Sequence, residues 1–366
     1  MTMSNPQLHS VVLGAGLMGR LLAWQLARQG HQVTLYEAGG SGAENSPARV
    51  AAAMLAPLAE SAITERNVVA MGQHALGRWP TLLAQLSQPV FFQQEGTLIL
   101  WHRQDAAEAQ RFERQLLATQ QKIPELPHMQ RLEAADVTQL EPCLAQRFAQ
   151  GLYLPGEGQL DNRQLLSALL HELQALQVQL HWDSPRTPAE FLPGRPGQPD
   201  WVFDCRGLGA QSQWGQLRGV RGEVARIRAP EVSLSRPTRL IHPRYPIYIA
   251  PKPDHVFVIG ATEIESDDLS PPSVRSTLEL LSAAYAVHPG FAEGRILEIA
   301  TQCRPTLPDN LPAIRQLAPR TLQINGLYRH GFMISPALLD ATLEWVNQQS
   351  TVLADTLGLR WQSLSA

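Results

Sequence analysis

Three glycines near the N-terminus, Gly14, Gly16 and Gly19, have the spacing of a turn that binds a diphosphate. In such a turn the first glycine permits a sharp bend, the second lets backbone amides approach the ligand, and the third lets the helix pack closely. A carboxylate at Glu37, after the next predicted strand, would hydrogen-bond ribose hydroxyls and would repel a 2′-phosphate, which disfavours NADP. The fingerprint leaves FAD and NAD open. Its predicted contacts are Gly14, Ala15, Gly16, Leu17, Met18, Gly19, Glu37 and Ala38.

The elements around this turn are predicted from hydrophobic periodicity. A short β-branched strand at 9–13 runs into the glycines, apolar residues then recur at helical spacing up to Gly30, and a second buried strand covers 32–36. The middle of the chain mixes helical and strand patterns, and strand patterns dominate between 219 and 300. Near the C-terminus, Ser335 as N-cap and Pro336 as first residue predict a helix from about 336 to 349.

Composition excludes several classes of protein. The 366 residues carry a formal charge of -3 with no basic tract, so we expect no nucleic-acid partner. No window of eighteen residues is wholly apolar, and no secretory leader is recognisable, which predicts a cytoplasmic protein without a transmembrane segment. Cys143, Cys205 and Cys303 are too far apart to indicate a metal knuckle or a disulfide framework, and the histidines lack metal spacing.

Eight further segments, together with the fingerprint, extend over nearly the whole chain. They are AAAMLAP at 51–57, GQLD at 158–161, DCRGLGA at 204–210, RGE at 221–223, YIAP at 248–251, GAT at 260–262, RPTLPD at 304–309 and YRHG at 328–331. In order and spacing these segments resemble the glycine oxidase and D-amino-acid oxidase family of flavoproteins. The resemblance favours FAD over NAD.

The resemblance implies an α/β fold in two parts. A discontinuous Rossmann-like FAD-binding domain would cover 1–86, 153–216 and 303–366, and an α+β substrate domain on a mostly antiparallel sheet would cover 87–152 and 217–302. FAD would be noncovalent, because Cys303 is one residue from the position of covalent attachment in related sarcosine oxidases. The further flavin contacts that the resemblance implies are Ala53, Met54, Leu55, Gly207, Arg304, His330, Gly331, Phe332, Met333 and Ile334.

The same resemblance implies the oxidation of a small carboxylated amine by hydride transfer to flavin N5, followed by hydrolysis of the imine. Arg304 stands at the position of the arginine that binds the substrate carboxylate, and a guanidinium suits a carboxylate because it donates two parallel hydrogen bonds. Tyr248 matches an auxiliary tyrosine and Arg329 a second arginine. Oxygen is the expected electron acceptor.

Two positions depart from the family pattern. Residues 51–53 are alanines where many relatives have glycines, which places methyl groups near the expected flavin face. Glu263 stands where one branch has an apolar residue near the substrate amine. An acid there predicts a partner cation, and a substrate larger or more basic than glycine.

Three alternatives remain open at this stage. An FAD-dependent amino-acid dehydrogenase would pass electrons to a quinone or carrier. A flavin module would act on a substrate presented by a partner, such as modified tRNA, although the chain has no basic patch for it. An NAD-binding dehydrogenase would lack flavin colour.

Overall fold

The computed structural model describes residues 7–242 and 247–364. The strands of this part are β1 (His9–Leu13), β2 (Gln32–Tyr36), β3 (Met54–Leu55), β4 (Phe92–Gln93), β5 (Thr97–Trp101), β6 (Gln130–Glu133), β7 (Gln150–Leu154), β8 (Gly158–Leu160), β9 (Gln179–His181), β10 (Trp201–Asp204), β11 (Arg218–Arg228), β12 (Thr238–Ile241), β13 (Ile247–Lys252), β14 (Val256–Gly260), β15 (Ile264–Glu265), β16 (Arg295–Thr306), β17 (Ala313–Ala318), β18 (Thr321–Asn325) and β19 (Arg360–Gln362). The α-helices are α1 (Leu17–Arg28), α2 (Pro47–Val50), α3 (Pro57–Glu60), α4 (Arg66–Leu83), α5 (Ala106–Lys122), α6 (Ala134–Leu140), α7 (Asn162–Ala175), α8 (Val274–Val287), α9 (Gly331–Gln348) and α10 (Val352–Leu357).

One sheet holds the fingerprint, and its strand order is β19-β17-β18-β10-β1-β2-β9. Its pairings are parallel except for β17 with β18, and its strands are short apolar runs because the layer is buried. Helix α1 contributes Leu21, Leu22 and Trp24, all fully buried, to the core beside it. The glycine turn therefore lies at the carboxyl end of β1, where ligands of such sheets bind.

The second sheet has the order β15-β11-β14-β13-β12-β5-β7-β6, with β16 also paired to β11. It is antiparallel except for the parallel pair β12 and β5. The predicted α/β fold, with a Rossmann-like sheet and a second, mostly antiparallel sheet, is confirmed. The predicted domain boundaries stay a prediction, and those at 153 and 303 fall inside strands β7 and β16.

The start of the last long helix differs from the sequence prediction. Helix α9 begins at Gly331, so Ser335 is not its N-cap and Pro336 lies inside the helix. A proline cannot donate to the carbonyl four residues earlier, here Phe332. That carbonyl instead accepts a hydrogen bond of 2.9 Å from the indole Nε1 of Trp79 on α4, which lets the helix continue through the proline.

Three features are missing from the described part of the chain. None of its helices is both long and apolar enough to cross a bilayer. Within the same residues no cluster of three metal-ligating side chains occurs, and Cys143, Cys205 and Cys303 are free thiols.

Candidate active site

A cavity of about 1120 Å³ joins the glycine turn of the first sheet to the residues of the second sheet. Most of the predicted site residues line this cavity, namely Gly14, Gly16, Leu17, Met18, Glu37, Ala38, Ala53, Met54, Gly207, Tyr248, Glu263, Arg304, Arg329, His330, Gly331, Phe332 and Met333. Four predicted contacts, Ala15, Gly19, Leu55 and Ile334, lie behind the wall. Because successive side chains of a strand point to opposite faces, Met54 faces the cavity and Leu55 faces the hydrophobic core. The side chains of Ala15 and Ile334 belong to the same core.

The glycines of the turn are required by close packing. Gly14 has a φ of +93°, and a Cβ there would lie 2.7 Å from the carbonyl oxygen of Cys205. A Cβ on Gly19 would overlap the carbonyl oxygen of Gly14, so only glycine lets α1 approach β1 this closely. Gly16 is the N-cap of α1 and faces Ser46, whose Oγ would lie 3.1 Å from a Cβ. The absence of a side chain at Gly14 and Gly16 lets an anionic ligand approach the backbone N–H groups at the N-terminus of α1.

The carboxylate of Glu37 is fixed at the end of β2. Its Oε2 accepts from the backbone N–H of Ala15 at 2.6 Å, and its Oε1 accepts from that of Gly39 at 3.0 Å. Each oxygen keeps a second lone pair, so the carboxylate can still accept from ribose hydroxyls.

The segment around Ala53 is held by a lysine that sequence reasoning missed. Ala53 has a φ of +53°, a conformation that glycine adopts more easily. Lys252, at the end of β13, is buried and donates to the carbonyls of Ala52 at 2.8 Å and Leu160 at 2.7 Å, and to Gln159 Oε1 at 3.1 Å. Burial lowers the pKa of Lys252 to about 7. A lysine inside the apolar run of residues 247–252 was the only sequence signal for it.

Arg304 projects from β16 into the cavity across Gly222 of β11, where a Cβ would overlap the guanidinium. Its Nη1 donates to the carbonyl of Arg221 at 3.3 Å, and its Nη2 to that of Thr262 at 3.2 Å. Among the ion pairs of the described residues none includes Arg304. Of the five N–H donors of this guanidinium, two are used in these long hydrogen bonds, and the others remain available to a ligand carboxylate.

Tyr248 lies on β13 opposite Gly260 of β14, close enough that its hydroxyl oxygen would be 2.5 Å from a Cβ on that glycine. The absent side chain leaves room for the ring, and burial raises the pKa of the phenol. Tyr248 is therefore a neutral hydroxyl at physiological pH, able to donate one hydrogen bond into the cavity.

A buried carboxylate, Glu60 of α3, is the second residue that sequence reasoning missed. Its Oε2 accepts from Arg329 Nη2 at 2.7 Å and from His330 Nε2 at 3.1 Å, and its Oε1 accepts from Arg239 Nη2 at 2.6 Å. Burial works to raise the pKa of Glu60, but the two arginines and His330 hold it well below its usual range. The pKa of His330 is lowered by burial despite that hydrogen bond, so its ring is neutral. In the sequence, the only sign of this role was that Glu60 directly follows the apolar residues 56–59.

Arg329 is paired on both sides. Besides Glu60, it donates from Nη1 to Glu263 Oε2 at 2.9 Å, which gives Glu263 the partner cation that the sequence predicted. Burial works to raise the pKa of Glu263, yet a hydrogen bond with Tyr328 and the charges of Arg329 and Arg304 bring it below its usual value. Glu263 is thus ionised beside both arginines, and Arg329 is not free to form a fork for a ligand.

Cys303 is one of two cysteines that line the cavity, the other being Cys205. Cys303 is buried, and its Sγ donates to the carbonyls of Ser266 and Asp268, both at 3.5 Å. Burial raises its pKa, so the thiol stays protonated at neutral pH. A protonated thiol is a poor nucleophile, which supports the prediction of noncovalent FAD without testing it.

The cavity fits FAD in three respects. Its volume exceeds the roughly 300–1,000 Å³ of an ordinary small-molecule pocket. The glycine turn and Glu37 offer the diphosphate and ribose contacts at one end. At the other, the N-terminus of α9 and the buried His330, whose Nδ1 has no partner among the described residues, offer polar groups to a ring system.

Comparison with known proteins agrees with this arrangement. A family model described as FAD dependent oxidoreductase matches residues 9–344. An oxidoreductase of Rhizobium etli assigned to thiamine biosynthesis, ThiO, is 40% identical over 328 residues, which cover 90% of this chain and 93% of the relative. The crystal structure of glycine oxidase from Bacillus cereus matches with a TM-score of 0.79 at 20% identity, covering 94% of this chain and 96% of that one. Iminodiacetate oxidase from Chelativorans sp. BNC1 matches with a TM-score of 0.78 at 19% identity, covering 98% and 100%.

Proposed function

Since the chain belongs to the family of FAD dependent oxidoreductases and binds FAD, as its sequence predicted, we propose that it oxidises a small amine that carries a carboxylate. Oxygen is the proposed electron acceptor. When bound, FAD supplies the hydride acceptor, and the protein supplies orientation and electrostatics.

The unpaired charge of Arg304 is the observation that carries this proposal. Among the described residues, six arginines line the cavity. Four of them form ion pairs with carboxylates, namely Arg186, Arg206, Arg239 and Arg329, and Arg111 is exposed to solvent. Arg304 has no carboxylate partner in the described part of the chain. Arg304 is half-buried, so a ligand carboxylate that pairs with it would offset part of the cost of taking this charge out of water. An anionic group of the substrate would complete the site. We take this group to be a carboxylate, because glycine and iminodiacetate, after which two of the structural neighbours are named, both carry one.

The other residues would orient the substrate. The neutral hydroxyl of Tyr248 donates a second hydrogen bond to the carboxylate. Glu263, ionised and close to Arg304, faces the positive end of an amino acid whose carboxylate lies on Arg304. The positive end of α9, at Gly331, stabilises negative charge at the far side of the cavity. Arg329, already paired on both sides, shapes and neutralises the wall and does not bind substrate directly.

The direct test is anaerobic mixing of the purified holoenzyme with glycine, sarcosine, iminodiacetate, and D- and L-amino acids. Loss of the flavin absorbance near 450 nm, roughly the usual flavin band, identifies a donor. We expect bleaching by at least one carboxylated amine and none by the matching amine without a carboxylate. If no amine bleaches the flavin while it remains bound, the proposal fails.

Two further measurements refine the proposal. Oxygen consumption with stoichiometric peroxide distinguishes an oxidase from a dehydrogenase, which would need an added quinone. The Glu263→Ala variant tests selectivity, because loss of the acid should lower the preference for N-substituted or diamino substrates relative to glycine. An unchanged preference would remove Glu263 from substrate recognition.

A further inference from the structure

Arg20 is a buried cation immediately after the glycine turn, and the proposed reaction gives it no role. Its side chain is 1% exposed. The guanidinium donates from Nε to the carbonyl of Ala15 at 2.7 Å, from Nη1 to Leu166 at 2.7 Å and from Nη2 to Ser41 at 2.6 Å. All three acceptors are neutral, and no ion pair of the described residues includes Arg20. Burial lowers its pKa to about 10 although Glu37 and Glu44 act to raise it, so the group is charged at neutral pH.

The bond to Ala15 determines where the turn directs its donors. A trans peptide is planar, and its C=O and N–H point in opposite directions. Because Arg20 holds the carbonyl of Ala15 in the protein interior, the N–H of Gly16 in the same peptide is directed the other way, toward the cavity that Gly16 lines. The N–H of Ala15 is held by Glu37. Two side chains thus fix both peptides of Ala15.

The bond to Ser41 extends this control to the loop after β2. Residues of this loop, among them Gly39, Asn45 and Ser46, line the cavity, and Ser46 faces Gly16 across it. The bond to Leu166 anchors the guanidinium in turn to α7. Arg20 therefore links the turn, the loop and a rigid helix at the end of the cavity that faces the diphosphate.

We propose that Arg20 is a positioning residue for the diphosphate half of FAD, fixing the turn and the loop after β2 and placing beneath them a positive charge that forms no ion pair among the described residues. The diphosphate is the anion that this charge would attract. Arg20 is absent from the cavity lining, so it acts through the backbone groups that it holds.

The test uses apoprotein prepared by removal of FAD, and equilibrium dissociation constants for FAD, ADP and riboflavin. ADP carries the diphosphate and adenosine, whereas riboflavin carries only the ring and ribityl chain. Because Arg20→Met removes charge-assisted hydrogen bonds that hold the turn and the loop, the dissociation constants for FAD and ADP should both rise by roughly 10- to 100-fold. The dissociation constant for riboflavin should stay within about twofold of the wild-type value. Arg20→Lys keeps the charge but cannot reach three carbonyls, so it should fall between the two.

The matched control is Arg28→Met, since Arg28 lies on the same helix but is exposed in its last turn. It should bind all three ligands as wild type does. The proposal is overturned if Arg20→Met binds FAD with the wild-type constant, or if it weakens riboflavin as much as ADP, which would indicate a general loss of structure. If Arg20→Met does not fold, wild-type binding of FAD and ADP by Arg20→Lys overturns it as well.

Discussion

Replacing Arg304 by methionine removes the cation that we propose binds the substrate carboxylate, while changing little else. Among the described residues the guanidinium makes two hydrogen bonds, at 3.3 and 3.2 Å, both to backbone carbonyls. Their loss should lower the free energy of unfolding by no more than about 1–2 kcal/mol. Methionine keeps most of the length of the side chain, so Gly222 and β11 need not move.

The effect on catalysis should be much larger. A guanidinium fork gives a carboxylate two charge-assisted hydrogen bonds, each worth about 1.5–3 kcal/mol, so the loss of both amounts to about 3–6 kcal/mol. With about 1.36 kcal/mol for each factor of ten, kcat/KM should fall by roughly 10²- to 10⁴-fold. Arg304→Lys keeps the charge and one hydrogen bond, and should lose roughly 10- to 100-fold.

The assay is steady-state oxidation of the best donor from the anaerobic panel, with FAD content measured in each variant. A titration of the bound flavin spectrum with acetate gives carboxylate affinity independently of turnover, and should weaken in parallel. Arg218→Met is the matched control, because Arg218 lies on β11 of the same sheet but pairs with Glu265 outside the cavity. A kcat/KM of Arg304→Met within about threefold of wild type, with FAD bound, would refute the role of Arg304.

Three further outcomes are expected from the structure. Gly19→Ala should abolish FAD retention, measured by absorbance of the purified protein, because a Cβ would overlap Gly14; Gly77→Ala, at a helical glycine with open space around it, should retain FAD. Glu60→Gln should lower the free energy of unfolding by about 3 kcal/mol in urea, since it removes a buried carboxylate that pairs with Arg239 and Arg329. Folding lowers the pKa of Glu60 below its ordinary 4.5, so the stabilisation that its carboxylate provides is complete above pH 4.5 and is lost as the pH falls through the folded pKa. Wild type should therefore lose stability in acid more steeply than Glu60→Gln. Parallel curves of stability against pH for the two proteins would contradict this. Lys252→Met should destabilise by about 3 kcal/mol, because it leaves three buried acceptors unpaired, and an unchanged urea midpoint would show that these bonds contribute nothing.

Local features were predictable because they depend on neighbouring residues. The glycine spacing, the two short strands and the carboxylate at Glu37 form one unit within thirty residues of chain, and the structure has the strands at the predicted positions. The start of α9 was not predictable in this way. Pro336 is an ordinary first residue of a helix, and only Trp79, on a distant helix, supplies the hydrogen bond that lets α9 begin earlier.

The charge state of the site depended on long-range pairs. The resemblance indicated Arg304 as the arginine that binds the carboxylate and Arg329 as a second arginine, but nothing in the sequence showed which of them would be paired with acidic side chains. Glu60 reaches Arg329 over a separation of 269 residues, and Glu263 reaches it over 66. The fold pairs Arg329 with both acids, whereas Arg304 forms no ion pair with any of the residues that the structure describes.

By itself the sequence determined the dinucleotide turn and, through family resemblance, the cofactor, because glycine spacing and strand periodicity act over a few residues. Only the tertiary structure decided which cation remains for a ligand and which buried groups, Glu60, Lys252 and Arg20, hold the walls of the cavity. The physical reason is that ion pairs and hydrogen bonds form only at short range, between groups that the folding of distant segments brings together.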